Sequence, residues 1–358
     1  MSHALRITVV AAALAAASLH AQEKTPNARW YVGNYGNEIL VWDEASETVV
    51  ERIPVRNPLP ARLSLSADRQ RLYVTDATME KVEVVDLAAK RSVDAFTLTG
   101  GNVKVRISGF EAHPTGGSAV LLVKRYTRLP DRWQVEGPFM VRYDLAAKQV
   151  TDTIPWPGGQ ERDRVSFMFS PDGELLYLFA DDLIALDAET FEEVDRWKIS
   201  KPLEPGLAPM GLPFPRDPYQ ERGVFTGLFR MTDPVQNRRL MGVARVRLSE
   251  KEVDFFTLGP AEPVGFVLAP GADKAFGLFT QVGRYEFWEF DLEGRAVTRR
   301  VPFEGRPRMA LMPSADGRRV FVYNAGNTID VHDATTFERL RTVELGVDMI
   351  GVVVVPER

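Results

Sequence analysis

The chain has 358 residues, of which 45% are hydrophobic and 26% charged, and its formal net charge is −5. This length suffices for two ordinary domains or one large repeat domain, and the acidic balance argues against a nucleic-acid-binding surface. Cysteine is absent, which excludes disulfides, thiolate metal sites and a cysteine nucleophile.

The first 21 residues have the pattern of a secretory signal peptide. One arginine precedes an apolar run from Ile7 to Ala17, and small residues follow up to Ala21. The run is too short to span a bilayer comfortably, and no other segment approaches the ~18 apolar residues of a membrane helix. We expect cleavage after Ala21, with an uncleaved anchor as the alternative because Leu19 fits the −3 position poorly. Residues 22–358 are then expected to form one domain without a membrane span, periplasmic or secreted from a bacterium.

An aspartate before a tight turn recurs along the remaining chain, as in "VVDLAAKRSV" and "ALDAETFEEV", and its spacing measures a repeat. The corresponding positions are Asp43, Asp86, Asp144, Asp187, Arg247, Asp291 and Asp333. The base period is about 43 residues, with insertions of ~15 and ~17 residues in the second and fourth intervals. A period of about 40–45 residues containing several short strands is typical of a β-propeller.

Each repeat predicts four strands, A to D. In the second unit these are "RLSLS", "RLYVTD", "KVEVVD" and "SVDAFTL", where apolar residues alternate as half-buried strands require. The A–B turn reappears as "SPDGE", "PSADGRR" and "HPTGGS", which are rich in turn-forming residues. Seven C strands therefore predict an all-β fold, a seven-bladed propeller of four-stranded antiparallel blades.

The closure of the ring is predicted from the two ends of the repeat region. The first unit begins with "ARWYVGN", which is already a strand B, and the missing strand A is found in the last ten residues, Met349 to Arg358. We expect this segment to pair into the first blade, which removes the open sheet edges.

The stretch "RLYVTDATMEKVEVVDLAAKRSVDAFTL" resembles the YVTN-type β-propeller repeat, and so do "WYVGNYGNEILVWDEASETVVERIPV" and "RVFVYNAGNTIDVHDATTFERLRTVEL". The resemblance covers nearly the whole chain after the leader and implies the propeller fold. Such propellers include surface-layer proteins, binding scaffolds and the propeller subunits of periplasmic amine dehydrogenases. The last group holds its derived quinone in a separate small subunit, so the resemblance implies a platform rather than a catalytic chain.

The two insertions suggest a binding surface. The first is predicted as the B–C loop of the third blade, Lys124 to Phe139. The second is divided between the connection Ser200 to Met210, the stretch "PRDPYQER" and the B–C loop "RMTDPVQNRR" of the fifth blade. Arginine beside aromatic residues suits a protein partner or an anionic ligand, whereas the alternative is a set of solvated loops that pack onto their strands. The candidate partner-binding residues are Arg125, Tyr126, Arg128, Arg132, Trp133, Arg230, Arg238 and Arg239.

A second candidate site lies at the mouth of the central channel, which the A strands would line. Four arginines fall near the start of an A strand and could hold a carboxylate or phosphate there, namely Arg62, Arg106, Arg164 and Arg308. Their offsets from the A–B turn differ, so a single ring is not required. Pairing with nearby acids such as Glu111, Asp163 and Asp348 is the structural alternative.

Other candidate residues are better explained by structure. The recurrent aspartates accept backbone hydrogen bonds in their turns, and "DAETFEEVD" lacks the spacing of a calcium loop. His113 and His332 lie on different blades, so a catalytic triad or histidine metal site is not indicated. No motif predicts a bound cofactor, a metal site or a catalytic residue.

Three functions therefore remain open. The first is a binding or scaffold protein that presents blades 3–5 to a protein or an anionic small molecule, with no catalytic activity as an isolated chain. The second is a propeller subunit of an amine-dehydrogenase-like quinoprotein oxidoreductase. The third is an independent hydrolase or lyase that uses carboxylates and arginines at the channel mouth.

Overall fold

The computed structural model describes residues 25–163, 165–180, 182–198, 217–221, 223–323 and 326–357. These residues form 27 β-strands and one 3-10 turn at 157–159. The leader predicted at residues 1–21, its cleavage site and the connection Ser200 to Met210 lie outside the described residues.

The strands form seven antiparallel sheets in chain order. The first sheet comprises β27 (Met349–Pro356), β1 (Ala28–Asn34), β2 (Glu38–Asp43) and β3 (Thr48–Pro54). The second comprises β4 (Pro60–Leu65), β5 (Arg71–Asp76), β6 (Lys81–Asp86) and β7 (Arg91–Thr97). The third comprises β8 (Val103–Ala112), β9 (Ser118–Arg128), β10 (Trp133–Asp144) and β11 (Gln149–Ile154).

The fourth and fifth sheets comprise β12 (Ser166–Phe169), β13 (Leu175–Phe179), β14 (Leu183–Asp187) and β15 (Glu193–Trp197); and β16 (Val224–Asp233), β17 (Arg238–Arg247) and β18 (Glu252–Pro260). The last two comprise β19 (Val267–Leu268), β20 (Lys274–Gln281), β21 (Arg284–Asp291) and β22 (Ala296–Phe303); and β23 (Ala310–Pro313), β24 (Arg319–Tyr323), β25 (Thr328–Asp333) and β26 (Arg339–Glu344). Within the described residues, six sheets have four strands and the fifth has three.

The apolar core lies between neighbouring sheets. Tyr73 and Val82 of the second sheet share a buried cluster with Leu121 and Val123 of the third, and Val120 on the opposite face of β9 packs toward the fourth sheet. Alternate residues of a strand therefore serve the two neighbouring interfaces. The ring of sheets confirms the predicted seven-bladed β-propeller.

The ring closes where β27 pairs with β1. The antiparallel register runs from Ala28 opposite Pro356 to Gly33 opposite Gly351. The C-terminal strand thus completes the blade that the N-terminal strand begins, as the sequence predicts, and β1 is paired on both sides, with β27 and with β2.

The blades differ in height at their B–C ends. Strand β9 has 11 residues and β16 has 10, whereas β13 of blade 4 has 5. Asp144 pairs with Ser118 at the opposite end of the β9–β10 hairpin, so the additional residues all lie on the B–C side. At about 3.3 Å per residue, the six-residue difference between β9 and β13 corresponds to about 20 Å. Blade 4 is therefore a short blade between two tall ones.

The predicted loop from Lys124 to Phe139 is wrong in form, because most of it is strand. Pairing continues to Arg128 opposite Trp133, and the turn closes where Leu129 N–H donates to the carbonyl of Arg132 over 2.8 Å. Strand β8 is extended as well, and its Val103 pairs with Thr127. Three paired strands supply hydrogen bonds to backbone groups that a long loop would leave to water, and alternating Tyr, Thr and Val favour strand.

Candidate functional site

The two faces of the extended part of blade 3 differ in chemistry. Val120 and Leu122 of β9 pack toward blade 4, and the alternation of side chains places the following even-numbered residues of β9 on the same face. Together with their register partners on β8 and β10 they form what we term the basic-aromatic face, which consists of Lys104, Arg106, Lys124, Tyr126, Arg128, Trp133 and Val135.

The basic-aromatic face is exposed at its outer end. Trp133 is 49% exposed and Val135 is 55% exposed. Arg128 lies opposite Trp133, and no carboxylate of the described residues forms an ion pair with it. Closer to the body of the propeller, the Arg106 guanidinium lies 5.9 Å from the centre of the Tyr126 ring. Lys124 forms an ion pair with Asp163 at 2.8 Å, and this contact raises the pKa of the lysine. Cations and exposed apolar side chains are thus adjacent on one sheet face.

The opposite face of the same blade forms a groove of about 670 Å³ toward blade 2. Its lining is mainly apolar, with Val105, Val123 and Phe139 among the contributors, and Arg125 and Glu136 lie opposite each other at its outer end. Arg125 is therefore separated from Tyr126 and Arg128 by the sheet itself. Arg132 lies at the tip of the hairpin and pairs with Asp131 at 3.0 Å.

Two of the blade 5 candidates, Arg230 and Arg238, bind other groups of the protein, and the third, Arg239, lies apart from the face of blade 3. Arg230 is half-buried and donates to the carbonyls of Glu262 (3.2 Å) and Val264 (3.3 Å), next to blade 6. Arg238 is exposed and donates to Asp233 at 3.1 Å across the β16–β17 turn. Arg239 is exposed on the same face as Arg230. These arginines do not share the basic-aromatic face of blade 3.

The central channel has a cavity of about 290 Å³ on the B–C side, which we term the channel-mouth cavity. Arg62 is the channel candidate that lines it, and its Nη1 donates to the carbonyl of Ser108 on the next blade over 2.7 Å. Ser108 occupies a bulge in β8, between Ile107 and Gly109. A bulge redirects backbone groups out of the ladder, and here it presents a carbonyl to the guanidinium.

Of the other described channel candidates, neither Arg106 nor Arg308 lines the channel-mouth cavity with Arg62. Arg106 lies over the Tyr126 side chain on the basic-aromatic face of blade 3. Arg308 is exposed in the connection before β23, at a φ of 67°. Arg164 lies outside the described residues. Among the described residues, Asp163, which was expected as an arginine partner, forms an ion pair with Lys124.

The recurrent aspartates are turn residues, as the sequence predicts. The Asp144 carboxylate accepts hydrogen bonds from the backbone N–H groups of Ala146 and Ala147. The Asp333 carboxylate accepts hydrogen bonds from those of Thr335 and Thr336. His113 binds Thr115 and the carbonyl of Gly173 through its ring nitrogens. His332 is buried on the Phe287 ring, and burial lowers its pKa. These contacts assign both histidines to packing.

Sequence reasoning missed the role of residues 217–221, which lie at the A–B end of the channel, opposite the channel-mouth cavity. The Asp217 carboxylate accepts the N–H of Leu268 (2.6 Å) and of Tyr219 (3.0 Å), and Tyr219 Oη donates to the carbonyl of Pro313 over 2.8 Å. Burial raises the pKa of Asp217 to about 6. The segment thus ties blades 6 and 7 and lines a second cavity of about 240 Å³. Its only sequence signal was that "PRDPYQER" departs from the repeat.

Two further buried carboxylates were also missed. Glu83 accepts backbone N–H bonds from Arg56 and Asn57, on the connection between blades 1 and 2. Glu44 joins blades 1 and 7, because it accepts from Trp30 Nε1 (3.3 Å) and from the Ala315 N–H (2.6 Å). Burial raises the pKa of Glu44 to about 7. Both residues secure blade junctions rather than a site.

These observations define the class of the protein: a seven-bladed β-propeller in which one tall blade presents a basic and aromatic face. Among the described residues, no three histidine, aspartate or glutamate side chains gather in a way that could hold a metal ion. Nor does that part of the chain include a helix with the length and apolar character needed to cross a membrane.

Comparison with known proteins supports the fold alone. No family model matches the sequence, and no curated protein sequence matches it. Among solved structures, the chain is similar to the dihydro-heme d1 dehydrogenase NirN in complex with DHE, at 12% identity over 91% of this chain and 74% of that one, with a TM-score of 0.54. It is also similar to apo AztD from Citrobacter koseri, at 16% identity over 92% and 98% of the two chains, with a TM-score of 0.53.

A third similar structure is a functionally unknown protein from Desulfotomaculum acetoxidans DSM 771. The identity is 14%, the match covers 92% of this chain and 99% of that chain, and the TM-score is 0.55. At such identities, the shared feature is the propeller architecture, and function has to be argued from the residues of this chain.

Proposed function

We propose that this chain is an exported, non-catalytic binding protein that docks an acidic segment of a protein partner on the basic-aromatic face of blade 3. The observation that carries the proposal is the β9–β10 hairpin, which exceeds the strands of blade 4 by about 20 Å and exposes Trp133 and Val135 beside Arg128. Large apolar side chains next to arginine are typical of the residues that dominate protein interfaces.

The charge distribution favours an acidic partner. The chain carries a net charge of −5, yet the segment from Lys124 to Phe139 contains four basic and two acidic residues. Lys104 and Arg106 add two cations to the same face. A basic patch on an acidic protein steers acidic partners toward it and repels others, so charge supplies orientation while Trp133 supplies apolar contact area.

Site-specific photo-crosslinking tests the proposal. A benzophenone amino acid replaces Trp133 in the organism that carries the gene, and a matched variant places it at Val194 of β15, which is 55% exposed. We expect one protein to be captured from position 133 and not from position 194. Arg128→Glu combined with Arg132→Glu should abolish the capture. Equal capture from both positions, or capture that survives charge reversal, would contradict the proposal.

The identity of the captured protein separates the remaining functions. The likeness to YVTN-type repeats and to amine-dehydrogenase propeller subunits supports a platform role. Capture of a quinone-bearing small subunit would assign the chain to such an oxidoreductase. Turnover by the isolated chain would instead indicate a hydrolase or lyase.

Export forms part of the same proposal. The segment Ile7 to Ala17 and the small residues up to Ala21 support a secretory leader that is removed after Ala21. Mass spectrometry of the intact protein from the periplasm or the medium should give an N-terminus at Gln22. A chain that retains Met1 and sediments with membranes would favour the uncleaved anchor.

A further inference from the structure

The described lining of the channel-mouth cavity combines one cation with hydroxyl and aromatic side chains. Its described lining comes from blades 2 to 5, and the only charged side chain in that lining is Arg62. Hydroxyls are contributed by Ser64, Thr75, Ser108 and Ser166, and aromatic rings by Phe110, Phe167, Phe179 and Phe225. The volume of about 290 Å³ is at the lower end of the range for small-molecule sites.

Arg62 is oriented without being neutralised. Its Nη1 donates to the carbonyl of Ser108 over 2.7 Å, and no carboxylate in the described part of the chain forms an ion pair with it. The bulge that aims this carbonyl is itself anchored, because Ile107 N–H donates to the carbonyl of Met79 over 2.7 Å. A guanidinium has five N–H donors, and the carbonyl uses one end of the fork. The remaining donors can bind an anion at the rim of the cavity.

The composition of the described lining favours one kind of anion. A planar guanidinium matches a carboxylate in a two-point arrangement, and a single cation balances a single negative charge. A phosphate dianion would leave a second charge without a cation among the described lining residues. The phenylalanine side chains suit a flat apolar body, and the small volume limits that body to about one ring.

We propose that the channel-mouth cavity binds a small aryl carboxylate, with the carboxylate on Arg62 and the ring among the phenylalanine side chains. This site shares no residue with the basic-aromatic face. A partner protein could therefore dock on blade 3 whether or not the cavity is occupied, and the two proposals fail independently of each other.

Calorimetric titration with phenylacetate tests the site, using the full chain after the leader. We expect the protein to bind phenylacetate with a Kd below about 1 mM. The neutral analogue phenylacetamide and the ring-free anion acetate should each bind at least about tenfold more weakly, because each lacks one half of the recognition. Arg62→Gln should weaken phenylacetate binding about tenfold or more and leave phenylacetamide binding unchanged.

Two further variants keep the experiment decisive. Arg318→Gln removes an exposed arginine from the A–B turn of blade 7, outside the described cavity lining, and should leave phenylacetate binding unchanged. Ser166→Phe fills the cavity from β12 and should abolish binding of both the acid and the amide. Because Arg62 and Ser166 are exposed, both variants should unfold at the wild-type urea concentration. The proposal is overturned if phenylacetate does not bind, or if Arg62→Gln binds it as tightly as the wild type does.

Discussion

Two glycines, Gly33 and Gly351, lie opposite each other across the β1–β27 ladder where the ring closes. A Cβ atom on Gly351 would lie 2.3 Å from the carbonyl oxygen of Ala61, and one on Gly33 would lie 2.0 Å from that of Pro60. Both oxygens belong to the backbone of blade 2, which cannot rotate away as a side chain could. Gly351→Ala therefore requires a displacement of about 1 Å between blades 1 and 2, in an interior packed like a crystal.

The magnitude follows from two opposing effects. Overpacking of this kind costs about 3 kcal/mol at the upper end of its usual range. Loss of glycine entropy in the unfolded chain returns up to about 1 kcal/mol. We expect Gly351→Ala to lower the free energy of unfolding by about 2 kcal/mol, measured as a fall in the urea midpoint at unchanged slope. Gly117→Ala is the matched control, because a Cβ there has no atom within 4 Å. A wild-type midpoint for Gly351→Ala would refute the close approach of blades 1 and 2.

Two other perturbations address the same junctions. Deletion of residues 349–358 removes the strand that pairs with β1 and should leave an aggregating or unfolded chain in size-exclusion chromatography; a monomer with an unchanged melting temperature would disprove the closure. The pKa of Glu44 is about 7 in the folded state and 4.5 ordinarily. The protonated carboxyl therefore adds to the free energy of unfolding in full below about pH 4.5, and this stabilisation is lost as the pH rises through 7. Across that window the wild type should lose roughly 3 kcal/mol more than Glu44→Gln does. Parallel urea midpoints for the two proteins across this pH range would show that Glu44 does not titrate there.

The repeat predicted the architecture because it constrains the chain at every blade. Each turn aspartate must be followed by N–H groups that donate hydrogen bonds to its carboxylate. The spacing of this turn position therefore gives the number of blades, even in the blade where Arg247 replaces the aspartate. The pairing of β27 with β1 followed from the same pattern, since a unit that begins at strand B leaves one strand to be supplied from elsewhere. Local chemistry and global closure agree in these segments, and such agreement makes a fold readable from sequence.

The site was less predictable because it depends on departures from the repeat. An insertion between two strands carries the same composition whether it forms a loop or extends the hairpin, and the extension is decided by the third strand, β8, which lies some twenty residues earlier. Likewise, the face on which Arg125 or Arg128 lies follows from register. The role of Asp217 depends on the N–H group of Leu268, a residue that is distant in sequence. Contacts of this kind have no local signal.

The position of the tall blades follows from how a propeller is stabilised. Each blade buries its apolar faces against its two neighbours, so a hairpin that outgrows a short neighbour loses that cover. The part of blade 3 that extends past the strands of blade 4 must therefore carry polar side chains on that face, or a group other than blade 4 must cover it. The chain places Lys124, Arg128 and Tyr126 there, but also Trp133 and Val135, whose exposure is costly unless they meet a partner. The combination is therefore better explained by recognition than by solvation, and the closed ring supplies the rigid base from which the hairpin presents it.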